Sequence, residues 1–253
     1  LLAYGYESLQ AHYLAYLVVP PILVVVLAPV LIEHRVFLLG LFSPRRLTLR
    51  LVFAAVALGI AARIVWWAQL VARVSLGLAA SDDAEAVVGP AFSWNCPALP
   101  SLMLGLLVMA MLVPLMEETL HRGFLLPALA PTGALPAVLL SALIFTVFHP
   151  PSSYAFVFAM GVMLGAQFWV TGSLWTTIIT HLTYNGLIQF DWRCLQGRWN
   201  PPPENLPLLL PAVSALLTLV VAGLLIVALL RYQRAGATAP ARTSIPPRSR
   251  HAR

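Results

Sequence analysis

The sequence predicts an all-α fold, a polytopic transmembrane helical bundle of about seven spans, on three observations. The 253-residue chain is 60% hydrophobic and only 9% charged, whereas soluble domains carry about 25% charged residues. Its mean hydropathy is +0.87. Its apolar runs reach the ~20 residues that a helix needs to cross lipid, and they end at Pro, Gly or charged clusters.

Those runs place spans at 13–32, 47–67, 98–129, 133–149, 154–171, 173–190 and 207–230. Val19-Pro20-Pro21 should kink the first. No basic leader with a small-residue cleavage site precedes it, so it reads as a span rather than a signal. Residues 68–79 either extend the second helix or lie along the surface. The third, at ~1.5 Å per residue, is roughly 48 Å long and must tilt or bend, and Pro114 provides the bend. The fourth stops at Pro150-Pro151. The fifth and sixth meet at Thr171-Gly172-Ser173, flanked by Trp169 and Trp175, with Trp192 and Trp199 in the opposite loop; these are interface positions for aromatic rings. Residues 1–234 form the membrane domain, with its motif core at 110–190. Residues 235–253, rich in Ala, Pro, Ser, Thr and Arg, read as a disordered basic cytoplasmic tail.

The net charge of +6 comes entirely from arginine. It gathers in the loop holding Arg35, Arg45, Arg46 and Arg50 and in the tail beyond Arg231. Membrane topology accounts for that excess, so no nucleic acid partner is implied. Loop 80–97 carries Asp82, Asp83 and Glu85 without a basic residue. The N-terminus is then outside and the C-terminus cytoplasmic. An arginine-only, Ala/Leu/Val/Pro-rich composition points to a GC-rich bacterial genome and hence to the inner (plasma) membrane. Cys96 and Cys194 both face outward under this topology; a disulfide and two free thiols are equally open readings.

Within this apolar frame lie groups that lipid disfavours. A charged side chain at the bilayer centre costs at least ~2.5–3.5 kcal/mol, so intramembrane ionisable residues are functional candidates. Glu117 and Glu118 adjoin in the third span. Glu118 and Arg122 are one helical turn apart and can pair; Glu117 points about 100° away and lacks that partner. The next span carries Phe145 and His149 one turn apart, and the sixth carries His181 and Asn185 with the same spacing. Measured along the helices from the turn at 131–133, Glu117 and His149 lie about 20 and 24 Å in. From Ser173, His181 and Asn185 lie roughly 12 and 18 Å in. The four share broadly similar depths.

A carboxylate beside a neutral imidazole can hold and deprotonate water. An imidazole and a carboxamide one turn apart can both donate to one developing oxyanion. Together these describe amide hydrolysis. No serine or cysteine stands out as a nucleophile; Ser141 and Ser173 read as small packing residues. Each piece also has a plainer reading: a Glu–Arg pair as a structural clamp, a histidine at an interface, a His/Asn pair as interhelical glue. Three such pieces at matched depth call for one shared reason.

Glu-Glu-x-x-x-Arg, Phe-x-x-x-His and His-x-x-x-Asn, in this order on successive spans, resemble the CPBP family of CAAX proteases and bacteriocin-processing (ABI) proteins. The match covers about residues 110–190. The resemblance implies an intramembrane endopeptidase, a glutamic-type hydrolase acting on a membrane-associated protein or peptide in the lipid bilayer. It implies that Glu117 and His149 activate water, that His181 and Asn185 hold the oxyanion, and that Glu118, Arg122 and Phe145 support the site. It implies no cofactor. A zinc-dependent variant with Glu117, His149 and His181 as ligands is the lesser reading, because no His-Glu-x-x-His helix is present. Two rivals from other classes stand beside it: a non-catalytic immunity or scaffold protein using the same residues as glue, and a small-solute or proton transporter. The absence of an obvious internal repeat counts against the transporter.

Overall fold

The computed structural model describes residues 47–75 and 99–189, with 28–43 and a few positions between 17 and 26. Part of the predicted first span, the span 207–230, the tail 235–253, loop 80–97, Cys96, Cys194, Trp192 and Trp199 lie outside the described residues. The described part is all helical: α1 (Arg35–Leu41), α2 (Leu49–Ser75), a composite α3 over residues 99–132, α4 (Ala134–Val147), α5 (Tyr154–Thr171) and α6 (Leu174–Gln189). A 3₁₀ turn, Pro151–Ser153, leads into α5. Residues 68–75 extend the second helix.

The expectation of about seven spans is corrected. Among the described residues three helices are long and apolar enough to cross a membrane, over Leu49–Trp66, Leu102–Thr132 and Tyr154–Thr171. Apolarity in the sequence outruns the helices themselves. α4 has only 14 residues, because Gly133 at φ 100° starts it and the backbone leaves helical geometry at Phe148, just before Pro150. At ~1.5 Å per residue it spans about 21 Å, short of a hydrocarbon core of ~30 Å. α6, with 16 residues, begins beyond Gly172, whose left-handed φ of 60° closes α5. α4 is an apolar run of the length expected for a core helix rather than a full span.

α3 is not a uniform α-helix. Two of its turns, Leu106–Leu112 and Thr119–Leu125, widen to π geometry. Each ends two residues before a proline, Pro114 and Pro127. In regular α-helix the rings of these prolines would meet the carbonyls of Ala110 and Gly123, four residues earlier. Widening the preceding turn relieves that clash and keeps the helix continuous. The two π turns bracket the segment Val113–Glu118, which carries both glutamates.

Small residues set the helix spacings. A Cβ on Gly59 would lie 2.6 Å from the Thr180 carbonyl oxygen and from Thr183 Cβ, so α2 lies backbone-close along α6. Thr180 Oγ1 donates to Ala55 O at 3.0 Å across the same seam. A Cβ on Gly161 would lie 3.0 Å from Ala142 Cα, which fixes α5 against α4. Close backbone approach of this kind is how helices associate where lipid supplies no hydrophobic drive. Gln167 adds polar glue, its Nε2 donating to Thr180 Oγ1 at 2.9 Å and Thr176 O at 3.2 Å. Trp175 Nε1 donates to Phe42 O at 2.7 Å, tying the end of α1 to the start of α6.

Candidate active site

The site grows from one buried carboxylate. Glu118 Oε1 accepts from Arg122 Nη1 at 3.0 Å, one turn along α3, and both side chains are fully buried. The same oxygen lies 2.9 Å from His181 Nδ1 on α6. Arg122 Nη2 donates to the Gly161 carbonyl at 3.1 Å, and its guanidinium lies 4.7 Å from the centroid of the Phe145 ring. Four helices, α3 to α6, therefore converge on one ion pair. These contacts satisfy Glu118 Oε1 and both terminal nitrogens of Arg122, as a buried pair requires, while Glu118 Oε2 and Arg122 Nε are buried without a hydrogen-bond partner among the described residues.

An ion-paired carboxylate is a pure acceptor, so His181 presents Nδ1–H to Glu118. Its other nitrogen, Nε2, faces Glu117 Oε2 at 3.8 Å. Glu117 is the less enclosed acid, with 22% of its side chain exposed against none of Glu118. The division expected from spacing is thus what the geometry shows: Glu118 toward Arg122, Glu117 away from it.

Phe145 is the hub of the ring contacts. Its ring lies 4.7 Å from His149 and 6.2 Å from His181, centroid to centroid. His149 Nδ1 lies 2.9 Å from Phe145 O, one turn back, which leaves Nε2 as its outward nitrogen. The structure forms no hydrogen bond between His149 and Glu117. The two are electrostatic neighbours, with His181 the stronger partner of Glu117. Asn185 Nδ2 donates to Met109 O at 2.8 Å, a carbonyl in the first π turn. Such turns release carbonyls from regular pairing, and this one orients the carboxamide. Its second amide hydrogen and its oxygen have no further bond among the described residues.

Two residues near the site escaped the motif reading. His121, between Glu117 and Arg122 in sequence, is buried and lies 5.1 Å from Phe145 and 6.2 Å from Phe148, edge to face. Arg63 sits inside the apolar run of α2, with its guanidinium 4.5 Å from the Trp66 ring centroid. Both carried a usable signal, an ionisable group within a span. Among the described residues no group of three or more His, Cys, Asp or Glu side chains is arranged to hold a metal ion.

Residues 99–187 match the family model described as type II CAAX prenyl endopeptidase, Rce1-like. Over those residues the chain is similar to the CAAX proteases. The matched stretch is well under half of the chain, and it contains every motif residue of the site from Glu117 to Asn185. No curated protein and no solved structure matches the chain. The Rce1-like region thus combines a membrane-spanning helical architecture with a buried His181 in contact with Glu117 and Glu118.

Proposed function

We propose that this chain is an intramembrane endopeptidase that hydrolyses a peptide bond of a membrane-associated protein or peptide. The observation that carries the reading is the orientation of His181. Glu118 holds its Nδ1 at 2.9 Å, so Nε2 is aimed at Glu117. In this reading one water is held by Glu117 and His149 beside the oriented His181 imidazole. Glu117 takes a proton from that water, with His149 assisting, and the hydroxide adds to the scissile carbonyl. The Asn185 carboxamide donates to the developing oxyanion. His181 donates to the same oxyanion from Nε2 in its imidazolium form. Collapse breaks the C–N bond, and Glu117 passes its proton to the leaving amine. Water and amide become a carboxylic acid and an amine, which ionise to carboxylate and ammonium.

The similarity to CAAX prenyl endopeptidases favours a substrate cut near a lipid-modified or hydrophobic C-terminus. The rival reading, a non-catalytic scaffold or immunity protein, assigns the same contacts to interhelical glue. A single-turnover reaction in H₂¹⁸O separates them. Purified protein in nanodiscs should yield a cleaved peptide carrying one ¹⁸O in its new carboxylate, with no acyl-protein species. Absence of cleavage by folded protein across a panel of hydrophobic and S-farnesylated peptides would favour the scaffold. Strong chelator leaves the rate intact in this account; a loss restored by Zn²⁺ would assign Glu117, His149 and His181 to metal binding instead.

A further inference from the structure

α4 has the length of a core helix, but only one side of it is covered. From Ala137 to Phe148 its residues alternate in pairs. Ala137 and Val138, Ser141 and Ala142, and Phe145 and Thr146 are buried. Leu139 and Leu140, Leu143 and Ile144, and Val147 and Phe148 are exposed. Residues four apart share a helix face, so the exposed pairs form one stripe. The inner face closes on α3 through Ser141 and on α5 through Ala142. Every residue of the outer stripe is Leu, Ile, Val or Phe. A patch of that kind, on a chain with membrane-crossing helices, marks contact with lipid hydrocarbon.

Both ends of the stripe are bounded by backbone that hydrocarbon does not accept. Before α4 come the 3₁₀ turn Ala130–Thr132, with Pro131 and Thr132 exposed, and Gly133 at φ 100°. After it the chain leaves helical geometry at Phe148 and runs through exposed Pro150 and Pro151 into the 3₁₀ turn Pro151–Ser153. Lipid-exposed irregular backbone does not occur within the hydrocarbon region, because nothing there satisfies its polar groups. The two turns therefore belong at membrane surfaces. They are opposite ends of one hairpin. Gly161 lies against Ala142 and Gly165 against Val138, so α5 runs back antiparallel and brings Trp169 level with Ala134. From Ala134 to Phe148, at ~1.5 Å per residue, is about 21 Å. An ordinary hydrocarbon core is about 30 Å thick. Tilting α4 only widens the ~9 Å shortfall, and residues 129–153 contain no Lys or Arg to snorkel across it. A short apolar segment without such anchors is matched by a thinner bilayer.

We infer that the outer face of α4 is a lipid-contact surface that thins the bilayer beside it, drawing the membrane surface down to Phe148 and bringing water to His149. His149 is the first residue beyond Phe148, half-buried, with its ring 4.7 Å from Phe145 at the centre of the site. Water then reaches the imidazole without crossing hydrocarbon. The lipid contact stands apart from the protease reading; the use of that water in hydrolysis rests on it.

The test places nitroxide labels on full-length protein in dioleoyl phosphatidylcholine vesicles, with Cys96 and Cys194 replaced by serine. Labels at Phe148→Cys and Leu140→Cys are probed by collision with a water-soluble nickel chelate and with oxygen. Leu140 lies mid-stripe and should favour oxygen. Phe148 lies about 12 Å further along the helix, at the surface, and its nickel-to-oxygen ratio should be at least ~10-fold higher. Val147→Cys gives the same reading should Phe148→Cys misfold. Oxygen-dominated labels at both positions overturn the inference, because they put hydrocarbon over that end of α4. Labels shielded from both reagents overturn it too, and assign the stripe to a second copy of the chain. Peptide cleavage should be at least ~3-fold faster in dimyristoleoyl than in dierucoyl phosphatidylcholine, whose thicker hydrocarbon enlarges the mismatch. Equal rates overturn the delivery of water to His149. If the labels read as expected and no peptide is cut in any lipid, the protease reading fails and the lipid contact stands.

Discussion

His181 and Glu118 meet through Nδ1 and Oε1 at 2.9 Å, and that contact decides which way the imidazole faces. Nδ1 is bound to a carboxylate that is itself bound to Arg122, so the working nitrogen is Nε2. The Glu118–Arg122 pair expected from spacing and His181 from a separate motif thus meet at one oxygen atom.

Breaking that oxygen's role has a structural signature. Glu118→Gln leaves Arg122 buried without its charge partner, and loss of one member of a buried pair costs about 3–5 kcal/mol. We expect a clear fall in thermal stability and yield in detergent, read by a fluorescence melt. Arg122→Met should be as harmful, because it strands Glu118 and vacates the contact with Gly161 O.

Asn185→Ala should fold and fail. The carboxamide loses a single bond to Met109 O, while the oxyanion loses a donor worth about 10²–10³ in kcat in comparable sites. The melt should move little while kcat in a peptide-cleavage assay drops by that factor. An equal loss of stability and activity would return Asn185 to the role of glue.

The helix crossings make a separate prediction. Gly59→Ala places a methyl 2.6 Å from Thr180 O, so overpacking should destabilise by about 1–3 kcal/mol. Gly40→Ala is the control, since nothing lies within 4 Å of its Cβ position. The two melts should separate clearly.

Serine substitution tests the absence of a hydroxyl nucleophile. Ser141 Oγ lies 3.4 Å from the His121 carbonyl, directed into the helix packing, and Ser173 is fully buried beside a turn. Ser141→Ala and Ser173→Ala should each cleave peptide within about twofold of wild type, because neither hydroxyl takes part in the water mechanism. A loss of several hundredfold in either would replace the water mechanism with a covalent one.

Much of the site was legible because helical spacing is a local rule. Glu118 and Arg122, or Phe145 and His149, are four apart, and one turn of helix brings each pair together. The crossing partners were harder to see. That Gly161 offers a carbonyl to Arg122, and Met109 one to Asn185, depends on close helix approach and on a π turn, which no spacing encodes. The span count failed for a related reason. Hydropathy continues through Gly133 and up to His149, but a glycine at φ 100° and a proline pair bound α4 to 14 residues. Composition recorded where lipid or core is tolerated, and backbone geometry decided where the helix ends. Arg63 was passed over because no motif contains it, although the same intramembrane-charge argument that selected Glu117 applies to it.

The most direct measurement of the central claim is peptide cleavage by Glu117→Gln in nanodiscs, beside a melt that verifies folding. The account predicts an unaltered melt and a fall in kcat of about 10²–10⁴, the range for loss of a general base. Cleavage at the wild-type rate by well-folded Glu117→Gln protein would contradict it.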